Sequence, residues 1–194
     1  MPSLPDYADW LNPPRLQQEE KLWAAMKLYQ RYAAAIVHLV ESRPGITAIT
    51  EFGGGTGWVP WELKLDLPYT MVDRHSHCLK LAADRNATKA HVTIVKQDIR
   101  KLNPTTPLVC GFAVLKHFRL TEWQELFINL FAGARYGLFT MPIAPANIDD
   151  GIEFTHTRVT EEFLADCIAL AGHRELWRDR TDPEEPLIAM EKID

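Results

Sequence analysis

The chain has 194 residues, of which 46% are hydrophobic and 24% are charged, and its formal net charge is −5 at pH 7. This length is typical of one domain with a full core, so a single domain over residues 1–194 is expected. No apolar run reaches the ~20 residues of a membrane span, and no signal peptide is recognisable, so no membrane contact is expected. The net acidity and the lack of a basic run weigh against nucleic acid as a partner, because phosphate contacts dominate such binding.

The three cysteines, Cys78, Cys110 and Cys167, are widely spaced and lie among apolar residues. They form no CxxC pair, so neither a disulfide framework nor a zinc site is predicted. No ligand-spaced set of His, Cys and Asp residues argues for another metal. A reducing cytoplasm is the expected location.

The first predicted elements are an arm and a long helix. Residues 1–14 are rich in Pro and aromatic side chains and are predicted to be irregular. Apolar residues then recur at helical spacing over residues 15–42, and Pro44-Gly45 ends the pattern. We therefore predict an N-terminal arm and helical cap over residues 1–44, followed by a sheet domain over residues 45–194.

Strand and helix patterns alternate after this point, which predicts a mostly parallel sheet between two layers of helices. The predicted strands are 46–52, 69–73, 91–98, 108–115, 136–141, 173–178 and 186–192. The predicted helices are 58–65, 77–83, 121–132 with Thr121 as its N-cap, and 160–171. The fold class is therefore α/β, a three-layer sandwich around a seven-stranded sheet.

The last two predicted strands are joined by only about eight residues, Asp179 to Pro186. A parallel crossover needs a dozen or more residues. These two strands must therefore pair antiparallel, so the sheet is predicted to carry an antiparallel strand at its C-terminal end.

The first strand runs into a glycine loop, Glu51-Phe52-Gly53-Gly54-Gly55-Thr56-Gly57, and then into a helix. This arrangement binds nucleotides and anions in many proteins, although a tight turn without a ligand is the alternative. The loop departs from the dinucleotide pattern GxGxxG because Trp58 occupies the third glycine position. Trp58 and Trp61 are expected to pack in the core or beside the ligand rather than to stack on a substrate.

The next two predicted strands each end on a carboxylate, Asp73 and Asp98. Asp73 can accept hydrogen bonds from both hydroxyls of a ribose, or it can cap the next helix. Asp98 can accept from the amino group of an adenine, or it can form an Asx turn. In open α/β sheets ligands bind where the strands end, so we expect an adenosine-containing ligand at this edge.

Together these residues resemble the class I, Rossmann-like methyltransferases that use S-adenosylmethionine, over residue 46 to the C-terminus. The antiparallel final pair is a further hallmark of that family. The resemblance implies that S-adenosylmethionine is bound with its ribose at Asp73, its adenine at Asp98 and the Ile99 backbone, and its methionine end near Glu51. The product would be S-adenosylhomocysteine. The implied cofactor-binding residues are Glu51, Gly53, Gly54, Gly55, Gly57, Asp73, Arg74, Asp98, Ile99 and Gly111.

The chain departs from the family pattern at two positions. The family often has Asp at the start of the fourth strand, where this chain has Pro107, and Cys or Ala where it has Gly54. Pro107 weakens the match of the fourth motif, Cys110 to Phe118. Neither position is among the expected adenosine contacts.

The methyl acceptor is expected beside the donor, in a pocket lined by three segments. One follows the fourth strand, a second follows the fifth strand, and the third is the N-terminal arm acting as a lid. If the acceptor carries a proton that must leave, His117 or His156 is the candidate general base, because histidine titrates near neutral pH. The plainer alternatives are a residue at a helix start for His117 and a surface histidine for His156.

Four further residues are candidates for acceptor binding. Tyr7 and Trp10 belong to the arm, and Asp149 and Asp150 to the loop after the fifth strand, where they could hold a cationic acceptor or simply be solvated. A small molecule is the expected acceptor, because the domain carries no module that would grip a macromolecule.

Two other functions remain possible from the sequence: methylation of RNA or protein, and cofactor binding without chemistry. The oligomeric state is not predicted. Trp58 and the antiparallel pair disfavour a nicotinamide oxidoreductase. No Asp/Asn-Pro-Pro-Tyr/Phe sequence follows the fourth strand, which argues against methylation of DNA bases.

Overall fold

The computed structural model describes residues 27–148, 157–182 and 185–193. Its helices are α1 (Leu28–Ser42), α2 (Trp58–Glu62), α3 (Ser76–Arg85), α4 (Leu120–Phe131) and α5 (Glu161–Leu170). Its strands are β1 (Ile49–Phe52), β2 (Tyr69–Asp73), β3 (Val92–Lys96), β4 (Leu108–Gly111), β5 (Tyr136–Thr140), β6 (His173–Asp179) and β7 (Leu187–Lys192). Two 3-10 helices, Ile99–Lys101 and Leu115–His117, follow β3 and β4.

The strands form one seven-stranded sheet in the order β3-β2-β1-β4-β5-β7-β6. The pairs among β1 to β5 are parallel, whereas β7 pairs antiparallel with both β5 and β6. The predicted seven-stranded sheet and its antiparallel C-terminal pair are therefore confirmed. The chain moves outward from β1 to β3 and then returns to the other side of β1 at β4. This reversal creates a crevice between β1 and β4 at the carboxyl ends of the strands.

Helices cover both faces of the sheet, as predicted. Alternate residues of a strand point to opposite faces, so in β4 Val109 packs towards α4 and α5 while Leu108 and Cys110 pack towards α1 and α3. All four residues of β4 are buried, which is typical of a parallel strand covered on both sides. The three-layer sandwich is confirmed.

The first helix differs from the prediction at its start. Lys27 has a left-handed backbone, with φ 54°, and α1 begins at Leu28. One unbroken helix from residue 15 is therefore wrong, and residues 15–26 lie outside the described part of the chain. The buried side chains of α1, which include Ile36 and Leu39, pack in the core against β1 and β4, so this helix forms part of one helical layer.

Two other predicted boundaries need correction. Helix α4 begins at Leu120, not after Thr121: Arg119 is the N-cap and its backbone N–H donates to the Glu122 carboxylate at 3.2 Å. Strand β4 ends at Gly111 and not at residue 115, because Ala113 has a left-handed backbone that cannot continue a strand. The predicted start of α5 is confirmed, since the Thr160 side chain accepts from the Phe163 N–H. No helix in the described ranges is long and apolar enough to span a membrane.

Candidate functional site

The glycine loop leaves β1 at the edge where the parallel strands end. It is tightly enclosed: a Cβ on Gly54 would lie 2.2 Å from Met71 Cγ, and one on Gly57 would lie 2.8 Å from Ala82. Gly55 differs, because a Cβ there would meet no described atom within 4 Å, and its φ is +54°. Among the described residues, the loop is therefore closed towards the protein and open at Gly55, where a ligand can approach the backbone.

Asp73 ends β2 beside this loop and is only 7% exposed. Its Oδ2 accepts the N–H of Gly55 at 2.9 Å, and its Oδ1 accepts the N–H of His75 at 2.9 Å. A carboxylate has about four lone-pair positions, so both oxygens can still accept further donors. The N-cap of α3 is His75, so the capping alternative for Asp73 is wrong.

His75 follows Asp73 at the end of β2 and is the N-cap of α3. Its Nε2 accepts from Arg74 Nε at 3.2 Å. Burial lowers the pKa of His75, the charges of Asp73 and Asp98 raise it, and Arg74 lowers it, with a net lowering. The ends of β2 and β3 meet here, because Asp73 pairs with Lys96 and the Gln97 N–H donates to the Asp73 carbonyl at 3.0 Å.

Asp98 forms the Asx turn that was the plainer of its two predicted roles. Its Oδ1 accepts the N–H of Arg100 at 3.0 Å and so begins the 3-10 helix after β3. The side chain of Ile99 is buried in the core with Trp123, so only the backbone of Ile99 is left to face a ligand. The adenine contact of these two residues stays a prediction.

Glu51 is buried beneath the glycine loop and is 2% exposed. Its Oε2 accepts the Tyr69 hydroxyl at 3.0 Å and lies 2.9 Å from the position of a Cβ on Gly54. Burial raises the pKa of Glu51 to about 8, although the Tyr69 hydrogen bond lowers it. Burial also raises the pKa of Cys110, which the charge of Glu51 raises further. Glu51 therefore supports the loop from below as a mainly neutral group at pH 7, and its predicted place near the methionine end stays a prediction.

The segment after β4 borders the loop on its other side. A Cβ on Gly111 would lie 2.1 Å from the Phe52 ring, so this close approach requires glycine. Phe112 stacks on Tyr32 of α1 with the ring centroids 4.3 Å apart. Ala113 then adopts φ 54°, a left-handed conformation that costs a non-glycine residue about 1–2 kcal/mol.

A polar network at the ends of β4 and β5 was missed by the sequence analysis. The Ala113 N–H donates to Thr140 Oγ1 at 2.7 Å, and the Thr140 hydroxyl donates to Glu185 Oε1 at 2.9 Å. Lys116 Nζ donates to Glu185 Oε2 at 2.7 Å, and these two side chains are 10% and 17% exposed. The signal was available: because β7 is antiparallel, the residues just before it must lie where β5 ends.

His117 ends the 3-10 helix after β4, with its Nδ1 buried and its backbone N–H on the Val114 carbonyl at 3.1 Å. It therefore shares the post-β4 segment with Lys116, and its role as a base stays a prediction. The other expected acceptor-side residues, Tyr7, Trp10, Asp149, Asp150 and His156, lie outside the described residues. Over the described ranges, no group of three or more His, Cys, Asp or Glu residues could hold a metal ion.

The two tryptophans of α2 differ in their surroundings. Trp58 stacks on Tyr29 of α1 with the centroids 5.8 Å apart, and the Arg85 guanidinium lies 3.9 Å from the centre of its ring. This agrees with the packing role expected for Trp58. Trp61 is 43% exposed, so core packing is wrong for that residue.

No profile of a known protein family matches the chain, and no curated protein matches it in sequence. Solved structures do match it. Magnesium protoporphyrin IX methyltransferase from Synechocystis PCC 6803 with bound S-adenosylmethionine superposes with a TM-score of 0.77 at 13% identity, and the match covers 100% of both chains.

Two further matches are similar in extent. One is 1,6-didemethyltoxoflavin-N1-methyltransferase from Burkholderia thailandensis with bound 1,6-didemethyltoxoflavin and S-adenosylhomocysteine. Its TM-score is 0.72 at 16% identity, covering 100% of this chain and 92% of that one. The other is an S-adenosylmethionine-dependent methyltransferase from Clostridium acetobutylicum ATCC 824, with a TM-score of 0.73 at 12% identity, covering 92% and 99%. The chain thus has the Rossmann-like fold of the class I S-adenosylmethionine-dependent methyltransferases.

Proposed function

We propose that the chain is an enzyme that transfers the methyl group of S-adenosylmethionine to a small-molecule acceptor. The observation that carries this proposal is the hydrogen bond between Gly55 and Asp73. It places a buried carboxylate with spare lone pairs beside the one glycine of the loop at which a Cβ would meet no described atom within 4 Å. A ligand with two vicinal hydroxyls and a long polar body suits this combination, and S-adenosylmethionine is such a ligand.

Each predicted contact of the cofactor has a group of suitable chemistry at the same edge. Asp73 can accept hydrogen bonds from the ribose hydroxyls. Asp98 and the Ile99 backbone come after the neighbouring strand, where they can contact the adenine. Gly55 and Gly111 allow the ligand to approach the backbone. When bound, S-adenosylmethionine supplies a methyl group on a sulfonium, which is a good leaving group. The protein then has to align the acceptor and exclude water, and proximity of this kind contributes roughly 7–11 kcal/mol.

The small-molecule acceptor is supported by charge and by the structural neighbours. The net charge of −5 disfavours a polyphosphate partner. The neighbours include enzymes named for a porphyrin, for toxoflavin and for mitomycin. His117 is the candidate base for an acceptor that must lose a proton. A cytoplasmic location suits this function.

Calorimetric titration with S-adenosylmethionine and with NAD tests the cofactor. We expect S-adenosylmethionine and S-adenosylhomocysteine to bind and NAD not to bind. Asp73→Asn should weaken binding of S-adenosylmethionine by about tenfold or more, because hydrogen bonds to a charged acceptor contribute about 1.5–3 kcal/mol. Asp84→Asn on the exposed face of α3 is the matched control and should bind like the unsubstituted protein. Tight NAD binding without S-adenosylmethionine binding would overturn the proposal.

The acceptor class is tested with S-adenosylmethionine labelled at the methyl group. The protein is incubated with separate small-molecule, RNA and protein fractions of a cell extract. We expect the label in the small-molecule fraction. Label confined to RNA or protein would contradict the small-molecule assignment, and binding without label transfer to any fraction would identify a cofactor-binding protein without chemistry.

A further inference from the structure

Thr140 is the centre of the network at the ends of β4 and β5. Its hydroxyl oxygen accepts the Ala113 N–H at 2.7 Å, and its proton is donated to Glu185 Oε1 at 2.9 Å. Lys116 holds the other oxygen of Glu185 at 2.7 Å. Because a threonine hydroxyl has one proton, the carboxylate fixes the direction of that proton and leaves the oxygen lone pairs for Ala113.

Ala113 is the strained member of this network. Its φ of 54° lies in the left-handed region, and among the non-glycine residues of the described ranges only Lys27 shares this property. Such a conformation persists only where the surroundings hold it, and strained residues of this kind cluster at binding sites. The hydrogen bond from the Ala113 N–H to Thr140 Oγ1 is a contact of this kind.

The position of Ala113 relates this strain to the cofactor site. The predicted adenosine carboxylates lie on one side of β1, with Asp73 at the end of β2 and Asp98 just after β3. A ligand with its adenosine on that side must cross the glycine loop to place its other end beside β4. That end of the site is bordered by Gly111 and Ala113, the residues at and just after the end of β4.

We propose that Thr140 and Glu185 are positioning residues for the methyl donor: they hold Ala113 in its left-handed conformation and so shape the amino-acid end of the cofactor site. They act through the backbone of Ala113. This inference rests on the proposed function, and it assigns a role to residues on β5 and on the segment between β6 and β7.

The first test compares threonine variants by calorimetric titration with S-adenosylmethionine. Thr140→Val removes the hydroxyl and should raise the Kd about tenfold, whereas Thr140→Ser keeps it and should stay within about twofold of the unsubstituted protein. Thr93→Val, on the exposed side of edge strand β3, is the matched control and should leave the Kd unchanged. Thermal unfolding of each variant shows whether it is folded.

The second test separates this role from simple stabilisation. Glycine adopts φ 54° without the Cβ penalty, so Ala113→Gly should remove most of the need for the hydrogen bond. In the Ala113→Gly background, Thr140→Val should therefore raise the Kd by no more than about threefold. Glu185→Ala should weaken binding less than Thr140→Val does. Glu162→Ala, at an exposed position of α5, is the control and should leave the Kd unchanged.

The outcomes are separable. If the unsubstituted protein does not bind S-adenosylmethionine, the proposed function is wrong and this inference is overturned with it. If the unsubstituted protein binds and Thr140→Val binds equally well, even with a lower Tm, the residues are merely structural and this inference alone is wrong. An equal loss from Thr140→Val with and without the Ala113→Gly substitution would also overturn it.

Discussion

The two halves of the site are built in different ways. On the β1 to β3 side, a carboxylate at a strand end binds backbone N–H groups of adjacent turns, as Asp73 does for Gly55 and His75. On the β4 to β7 side, side chains far apart in the chain bind one another: Lys116 and Glu185 are 69 positions apart, and Thr140 and Glu185 are 45 apart. The first kind of construction depends on local backbone geometry, and the second depends on the assembled fold. The two halves should therefore respond differently to substitution.

The largest effect is expected in the glycine loop. Gly54→Ala places a Cβ 2.2 Å from Met71 Cγ and 2.9 Å from Glu51 Oε2. The free energy of unfolding should therefore fall by about 3 kcal/mol. Gly55→Ala meets no described atom within 4 Å and should cost only the left-handed backbone penalty of about 1–2 kcal/mol. Urea denaturation measures both values. Equal losses at the two positions would show that steric enclosure of the loop does not explain its sequence.

The next effect is a pH dependence that originates at Glu51. Its pKa in the folded protein is about 8, above its ordinary value of 4.5, so the folded state binds a proton that the unfolded state releases in this window. Stability should therefore fall as the pH rises from 4.5 towards about 8, by about 2 kcal/mol between roughly pH 5.5 and 7.5. Glu51→Gln should remove most of this slope in urea denaturation across that range. An unchanged slope in the variant would assign the dependence to another group.

A smaller effect is expected where Lys116 meets Glu185. Lys116→Met leaves the little-exposed Glu185 carboxylate without the positive charge of Lys116. The free energy of unfolding should therefore fall by about 1–2 kcal/mol. The double variant Lys116→Met/Glu185→Leu should recover most of that loss, because the charge is removed together with its partner. The exposed pair of Arg180 and Glu161, whose side chains are 63% and 50% exposed, is the control, and Arg180→Met should cost less than about 0.5 kcal/mol. No recovery in the double variant would contradict a direct coupling between the two side chains.

The smallest effect concerns the ring of His75. Its pKa is lowered mainly by burial, so its contribution to stability is present above the ordinary pKa of histidine and is lost as the pH falls below it. Asp73 raises the pKa of His75 more than Asp98 does. Asp73→Asn should therefore lower the midpoint of the His75 titration further than Asp98→Asn does. NMR titration of the ring protons measures these midpoints, with Asp84→Asn as a control that should not move them. A larger shift in the Asp98 variant would place the ring nearer to the end of β3.

The same contrast explains what could be predicted from the sequence. The glycine loop, Asp73 and Asp98 are recognisable because each lies at a strand end and its partners are a few residues away or on the next strand. The antiparallel final pair followed from linker length alone. These features sufficed for the fold, which the structural neighbours share.

The features that could not be predicted from the sequence depend on contacts between residues far apart in the chain. The network of Thr140 and Glu185 exists only once β5 and β7 are paired, and no local pattern marks either residue. The left-handed Ala113 shortened a strand that hydrophobicity predicted to reach residue 115. Arg119 became the N-cap of α4 because Glu122 supplies the carboxylate, which a search for small polar caps does not find.

A crystal structure of the protein grown with S-adenosylhomocysteine tests the central claim most directly. We expect the ribose hydroxyls on Asp73, the adenine between His75 and the end of β3, and the amino-acid end beside Gly111 and Ala113, with the Ala113 to Thr140 hydrogen bond intact. A ligand bound elsewhere, or bound with its adenosine on the β4 side of the glycine loop, would contradict it.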